Sequence, residues 1–89
     1  MPAHKKQPLT RKQFLIETIG WYGTAAILSA YALVSFSVIS GDGLPFQILN
    51  LTGALAIIVL AVYKKVRQSV VLNVVWSVVA IVAIINLFL

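Results

Sequence analysis

Three apolar runs, Ile19–Ile39, Leu44–Tyr63 and Ser69–Leu89, follow one another along the chain, and none contains a Lys, Arg, Asp or Glu. Each is about 20 residues long, the length an α-helix needs to cross a ~30 Å hydrocarbon layer at ~1.5 Å per residue. All seven Lys and Arg lie outside these runs, in two clusters. A water-soluble domain carries about a quarter charged residues. Here the share is 10%, with 61% hydrophobic residues and a mean hydropathy of +1.00. The expected fold is therefore all-α: an integral membrane three-helix bundle with spans at about 19–39, 44–63 and 69–89.

The basic clusters predict an orientation. Lys5, Lys6, Arg11 and Lys12 precede the first span, and Lys64, Lys65 and Arg67 join the second to the third. The Ser40–Gly43 turn carries neither Lys nor Arg. Short loops rich in Lys and Arg remain on the cytoplasmic side, which places the N-terminus inside and the C-terminus outside. The seven cations are expected to contact anionic headgroups, so the net charge of +5 points to a lipid surface and not to nucleic acid. A cleaved signal peptide ending near Ser40 is the competing interpretation. Its apolar core would be only ~7–15 residues, shorter than this first run.

Residues 1–10 contain Pro2 and Pro8 among polar and basic residues and read as a flexible tail; 11–89 form one membrane domain. Thr10 is placed to cap a helix starting near Arg11, because its hydroxyl can accept an orphan backbone N–H. Arg11–Thr18 reads as an interfacial extension of span one, with Trp21 and Tyr22 at the cytoplasmic boundary. Ser40-Gly41-Asp42-Gly43 is turn chemistry, and Pro45 suits the first turn of the next helix. Connections this short make consecutive helices antiparallel.

Each span carries one small, polar stripe. At 100° per residue, Glu17, Gly20, Gly23, Thr24, Ile27, Tyr31 and Ser35 share a face of the first helix. Gln47, Asn50, Gly53, Ala54, Ile57 and Ala61 do so on the second, and Ser69, Asn73, Trp76, Ser77, Ala80 and Ile84 on the third. Val71, Val75, Val78 and Val82 point away. Small residues permit close helix approach in lipid, and interhelical hydrogen bonds add about 0.6 kcal/mol each, at most ~2. Thr24, Tyr31, Gln47, Asn50, Asn73 and Trp76 are thus candidates either for packing or for lining a solute path. Counting ~1.5 Å per residue from the span ends predicts two polar layers, Tyr31 with Asn50 outside and Thr24 with Asn73 inside. Glu17 is expected to meet Lys64, Lys65 or Arg67.

No catalytic, cofactor or metal site is predicted. His4, the sole histidine, has no acid or nucleophile beside it, and there is no cysteine. Glu17 and Asp42 fall at opposite membrane faces, too far apart for paired acid–base work. The Gly41–Asp42–Gly43 turn lacks the Gly-Lys-Ser/Thr that completes a phosphate loop. An enzyme is not expected.

The segment Phe46-Gln47-Ile48-Leu49-Asn50-Leu51-Thr52-Gly53-Ala54, with Gly20, Gly23 and Tyr31 before it and Trp76 after it, resembles the CBU-type family of small bacterial three-span proteins. The resemblance covers about 18–85. It implies a multi-pass protein of the bacterial cytoplasmic (inner) membrane and brings no assigned activity. Tyr63 and Asn73 resemble a Tyr-Gly…Asn stretch of SemiSWEET half-transporters, although the first helix lacks their Pro-Gln pair and the predicted topology is inverted relative to theirs. The expected function is that of a non-enzymatic structural or accessory membrane subunit. A half-transporter passing a small polar solute as a dimer is the alternative. Three helices bury only part of their polar stripes in one another, so a homo-oligomer or a larger membrane complex is expected. Gly20, Gly23 and Thr24 on helix one, and Trp76 and Ala80 on helix three, are the proposed contacts.

Overall fold

In the computed structural model, residues 8–89 are described. Lys5, Lys6 and most of the expected tail lie outside them. Three α-helices make up the fold: α1 (Arg11–Ser35), α2 (Leu44–Lys64) and α3 (Arg67–Leu87). The first helix opens as expected on Thr10, whose hydroxyl accepts from the Gln13 N–H at 3.2 Å. Gln13 reciprocates, its side-chain oxygen accepting from the Thr10 N–H at 2.9 Å, so two orphan donors are satisfied together. The helix then runs 25 residues without interruption, about 37 Å, merging the expected interfacial segment with the expected first span.

α1 stops at Ser35, short of the expected Ile39. Ser37 takes a left-handed backbone (φ 60°), and the Val38 N–H turns back to the Leu33 carbonyl at 2.8 Å. The same device ends α2: Lys65 has φ 60°, and the Val66 N–H donates to the Ala61 carbonyl at 2.9 Å. Such six-to-one closures satisfy carbonyls left over at a helix end and ordinarily use glycine. Between α1 and α2 the Ser40–Gly43 turn forms as expected. The Gly43 N–H reaches the Ser40 carbonyl at 3.3 Å, and the Ser40 hydroxyl donates to the Asp42 carboxylate. Pro45 sits in the first turn of α2, where no N–H is needed.

α2 is the central helix. It packs against both α1 and α3, while no α1 residue comes within 8 Å, Cα to Cα, of an α3 residue. The three helices therefore form an open assembly around α2 rather than a closed bundle. The backbones of α1 and α2 come close at Gly23 and Gly53. A methyl group added to Gly23 would stand 2.7 Å from the Gly53 carbonyl oxygen.

What lies inside is small. The buried apolar residues are Ala26, Ala30, Ala54, Ala56, Ala61 and Ala80, together with Gly20, Gly23 and Gly53. Gln47, Asn73 and Ser77 are buried beside them. Large aliphatics such as Leu28, Val71, Val75 and Val82 face outward. A water-soluble domain distributes these residues the other way round. α2 and α3 are long and apolar enough to cross a membrane. α1 is longer than either, but its glycines, hydroxyls and Trp21, Tyr22 and Tyr31 make it less apolar.

Candidate functional site

The polar stripes face α2 largely as the helical periodicity predicts, with Gly20, Gly23, Asn73, Ser77 and Ala80 all buried. Three expected members depart from them. Ser35 is exposed, Tyr31 is 54% exposed and Trp76 41% exposed. Packing against α2 is centred on a narrower, roughly 3.5-residue stripe of small side chains, to which these larger or terminal positions do not belong.

The two expected cross-helix layers do not form. Thr24 donates to the Gly20 carbonyl of its own helix at 3.1 Å. Asn73 donates to the Ser69 carbonyl at 2.8 Å and to the Ser69 hydroxyl at 3.3 Å, and Ser77 donates to the Asn73 carbonyl at 2.7 Å. Asn73 and Thr24 sit on α3 and α1, the two helices that do not meet. Tyr31 packs edge-on to Phe46, ring centroids 6.5 Å apart, and makes no hydrogen bond to the half-buried Asn50. Side-chain amides and hydroxyls within a membrane-length helix can return to the carbonyl one turn earlier, and that local bond competes with any partner across the interface.

One interhelical hydrogen bond between uncharged side chains does form, and it takes Tyr22 away from the boundary role expected of it. The Tyr22 hydroxyl and the Thr52 hydroxyl are 2.8 Å apart. Each is the chain neighbour of a contact glycine, Gly23 or Gly53, so the close backbone approach brings them together. The pairing could have been read from the two glycines had their mutual contact been known. An interfacial Tyr is the commoner arrangement, and the stripe alone does not reveal which glycine meets which.

The described charged residues other than Asp42 gather at one end. Glu17 pairs with Lys64 at 2.7 Å, as expected, and the ammonium of Lys12 lies 5.9 Å from the centre of the Tyr63 ring. Arg11, Lys65 and Arg67 occupy the same end. As a partly exposed pair, Glu17–Lys64 contributes about 0–1 kcal/mol. Beside it lies a cavity of about 210 Å³ lined by Glu17, Gly20, Trp21, Thr24, Leu60 and Lys64. Three further cavities are lined by residues of α2, α3 and their connection. The arrangement offers helix packing, one polar clasp between α1 and α2, and a cationic end. Glu17 and Asp42 stand at opposite ends of α1, so no two carboxylates converge.

No curated protein and no solved structure matches the chain. A protein-family model does match, over residues 16–89, a range that contains the 18–85 stretch of the CBU-type resemblance. The match takes in α2, α3 and all but the first turns of α1, and the chain belongs to the family that this model describes.

Proposed function

We propose that the protein is a small, non-enzymatic integral protein of the bacterial inner membrane. It crosses the bilayer three times with its N-terminus inside, and serves as a structural or accessory subunit within a homo-oligomer or a larger membrane complex. The observation that carries this reading is the inverted core, with Ala and Gly inside and Leu, Val, Ile and Trp outside. Such an exterior is stable against lipid, where helix association depends on close packing of small residues and not on hiding apolar surface from water. The length of α1 supports a third span: Ile19–Ser35 with its flanking turn covers most of a hydrocarbon layer. Anionic headgroups at the Arg11, Lys12, Lys64, Lys65 and Arg67 end complete the arrangement.

The half-transporter alternative requires Tyr31, Asn50, Asn73 and Trp76 to line a common path. The Asn73 amide instead donates to Ser69 within α3, and Tyr31 packs edge-on to Phe46. Self-association finds support in the open assembly, because α1 and α3 each cover only one side of α2. The expected dimer stripes need relocation, however. Gly20, Gly23 and Ala80 are already buried against neighbouring helices within the chain, which leaves exposed aromatics such as Trp21 and Trp76 for a second copy.

The test is a mass determination of the purified protein in mild detergent and in nanodiscs, beside solute uptake into proteoliposomes. An oligomer or a co-purifying membrane partner, with no uptake, is the expected result. A clean monomer in both media, or uptake abolished by Asn73→Leu, overturns the accessory reading.

A further inference from the structure

The connection between α2 and α3 holds two cations that this chain does not neutralise. Only two side chains in the whole sequence are acidic. Glu17 is engaged by Lys64, and Asp42 lies in the turn at the other end of the helices. Lys65 and Arg67 therefore have no carboxylate of their own chain within reach. Both stand at the mouth of a groove of about 430 Å³ between α2 and α3, whose remaining walls are Ala61, Val62, Val70 and Val71. Its size is within the range of small-molecule sites, and its lining changes from cationic to wholly apolar within one helical turn. Lys65 also holds a left-handed backbone, φ 60°, at a helix end where glycine is the unstrained choice.

We propose that this groove binds one anionic phospholipid, its phosphate held by Lys65 and Arg67 and an acyl chain lying along Ala61, Val62, Val70 and Val71. The proposal rests on the membrane reading above and deepens it. Diffuse attraction to a charged surface needs cations alone, whereas this site needs headgroup and chain together. Val66, at the start of α3, offers no side-chain acceptor to the first free N–H groups of that helix, which face the same headgroup region.

The test is native mass spectrometry of the full chain in mild detergent, titrated with phosphatidylglycerol or with phosphatidylcholine. One phosphatidylglycerol should be retained in preference to phosphatidylcholine. The double variant Lys65→Gly/Arg67→Gln should weaken that retention roughly 30-fold, the size expected for two cations at an anionic headgroup. The charge-matched variant Arg11→Gln/Lys12→Gln should stay within about threefold of wild type, below the effect of a single cation at the site. Val71→Trp, which fills the groove without altering charge, should also weaken retention, and Lys65→Arg should preserve it. Glycerol 3-phosphate should not displace the lipid. Equal losses in the two charge-matched variants, no loss with Val71→Trp, or displacement by glycerol 3-phosphate each overturn the site. Alkaline carbonate extraction of cell membranes reports separately on the parent reading. Release into the soluble fraction overturns membrane insertion itself, whereas firm retention without selective lipid binding overturns the site alone.

Discussion

Gly23 and Gly20 sit three residues apart on one helix, yet different neighbours make them unequal. A Cβ on Gly23 would meet the Gly53 carbonyl oxygen at 2.7 Å, Ile57 at 2.8 Å and Ala56 at 3.0 Å. The carbonyl belongs to the backbone of α2 and cannot swing aside, so the helices must separate. On Gly20 a Cβ would meet only side-chain atoms of Leu60: Cδ2, which a rotamer change can move, then Cγ at 3.1 Å and Cβ at 3.2 Å, which must give by a few tenths of an ångström. Gly23→Ala should therefore destabilise by about 1–3 kcal/mol, the usual cost of overpacking, and Gly20→Ala by clearly less. Unfolding in mixed micelles would compare the two, and equal effects would contradict the contact at Gly53. The polar clasp beside it makes a second prediction. Tyr22→Phe and Thr52→Val should be coupled in a double-mutant cycle by about 0.6 kcal/mol, up to ~1.7. Thr24→Val and Asn73→Leu, on helices that do not touch, should simply add. Coupling in the second cycle with none in the first would place the interhelical bond where the spacing expected it and against the geometry described here.

At the level of the helices, legibility followed the range of the interaction. Thr10, Pro45 and the Ser40–Gly43 turn act through neighbours a few residues away, so their roles can be read directly. Thr10→Ala should cost about 1 kcal/mol by releasing both halves of the cap, with faster amide exchange confined to the first turn of α1. Unchanged exchange there would rule out the cap. The ends of α1 and α2 were less legible because Ser37 and Lys65 take the conformation that glycine normally signals. An apolar run shows only how far lipid solubility extends, not where the backbone stops being helical; hence Phe36, Val38 and Ile39 are apolar but lie outside α1. The polar stripes were visible from periodicity, and their burial follows it. Their hydrogen bonds were not visible, since Thr24, Asn73 and Ser77 each close on a carbonyl four residues back.

Across the whole molecule, α2 alone holds the assembly together, and the charges are distributed to match. Short connections place the start of α1, the end of α2 and the start of α3 at one pole, and every described cation is there. The opposite pole has the Asp42 turn and no cation. The proposed three-span arrangement has only two ways to sit in a bilayer, and they differ in which pole faces the cytoplasm. Because Arg11 and Lys12 share a pole with Lys64, Lys65 and Arg67, the proposed membrane orientation has these cations acting together in choosing between the two. Single cysteines at Ser40 and at Gln68, in separate variants, should report opposite sides: an impermeant thiol reagent added to intact cells should label position 40 and leave position 68 unlabelled. The orientation should also yield to charge. Replacing Lys64, Lys65 and Arg67 by Gln while introducing Lys at Ser37 and Gly41 weakens one pole and loads the other. That variant should show mixed or reversed labelling, and the fraction reversed should grow when Arg11 and Lys12 are neutralised as well. Labelling at position 68 in the unmodified background would instead place the basic pole outside, and the lipid contacts proposed for Lys65 and Arg67 would then belong to the outer leaflet.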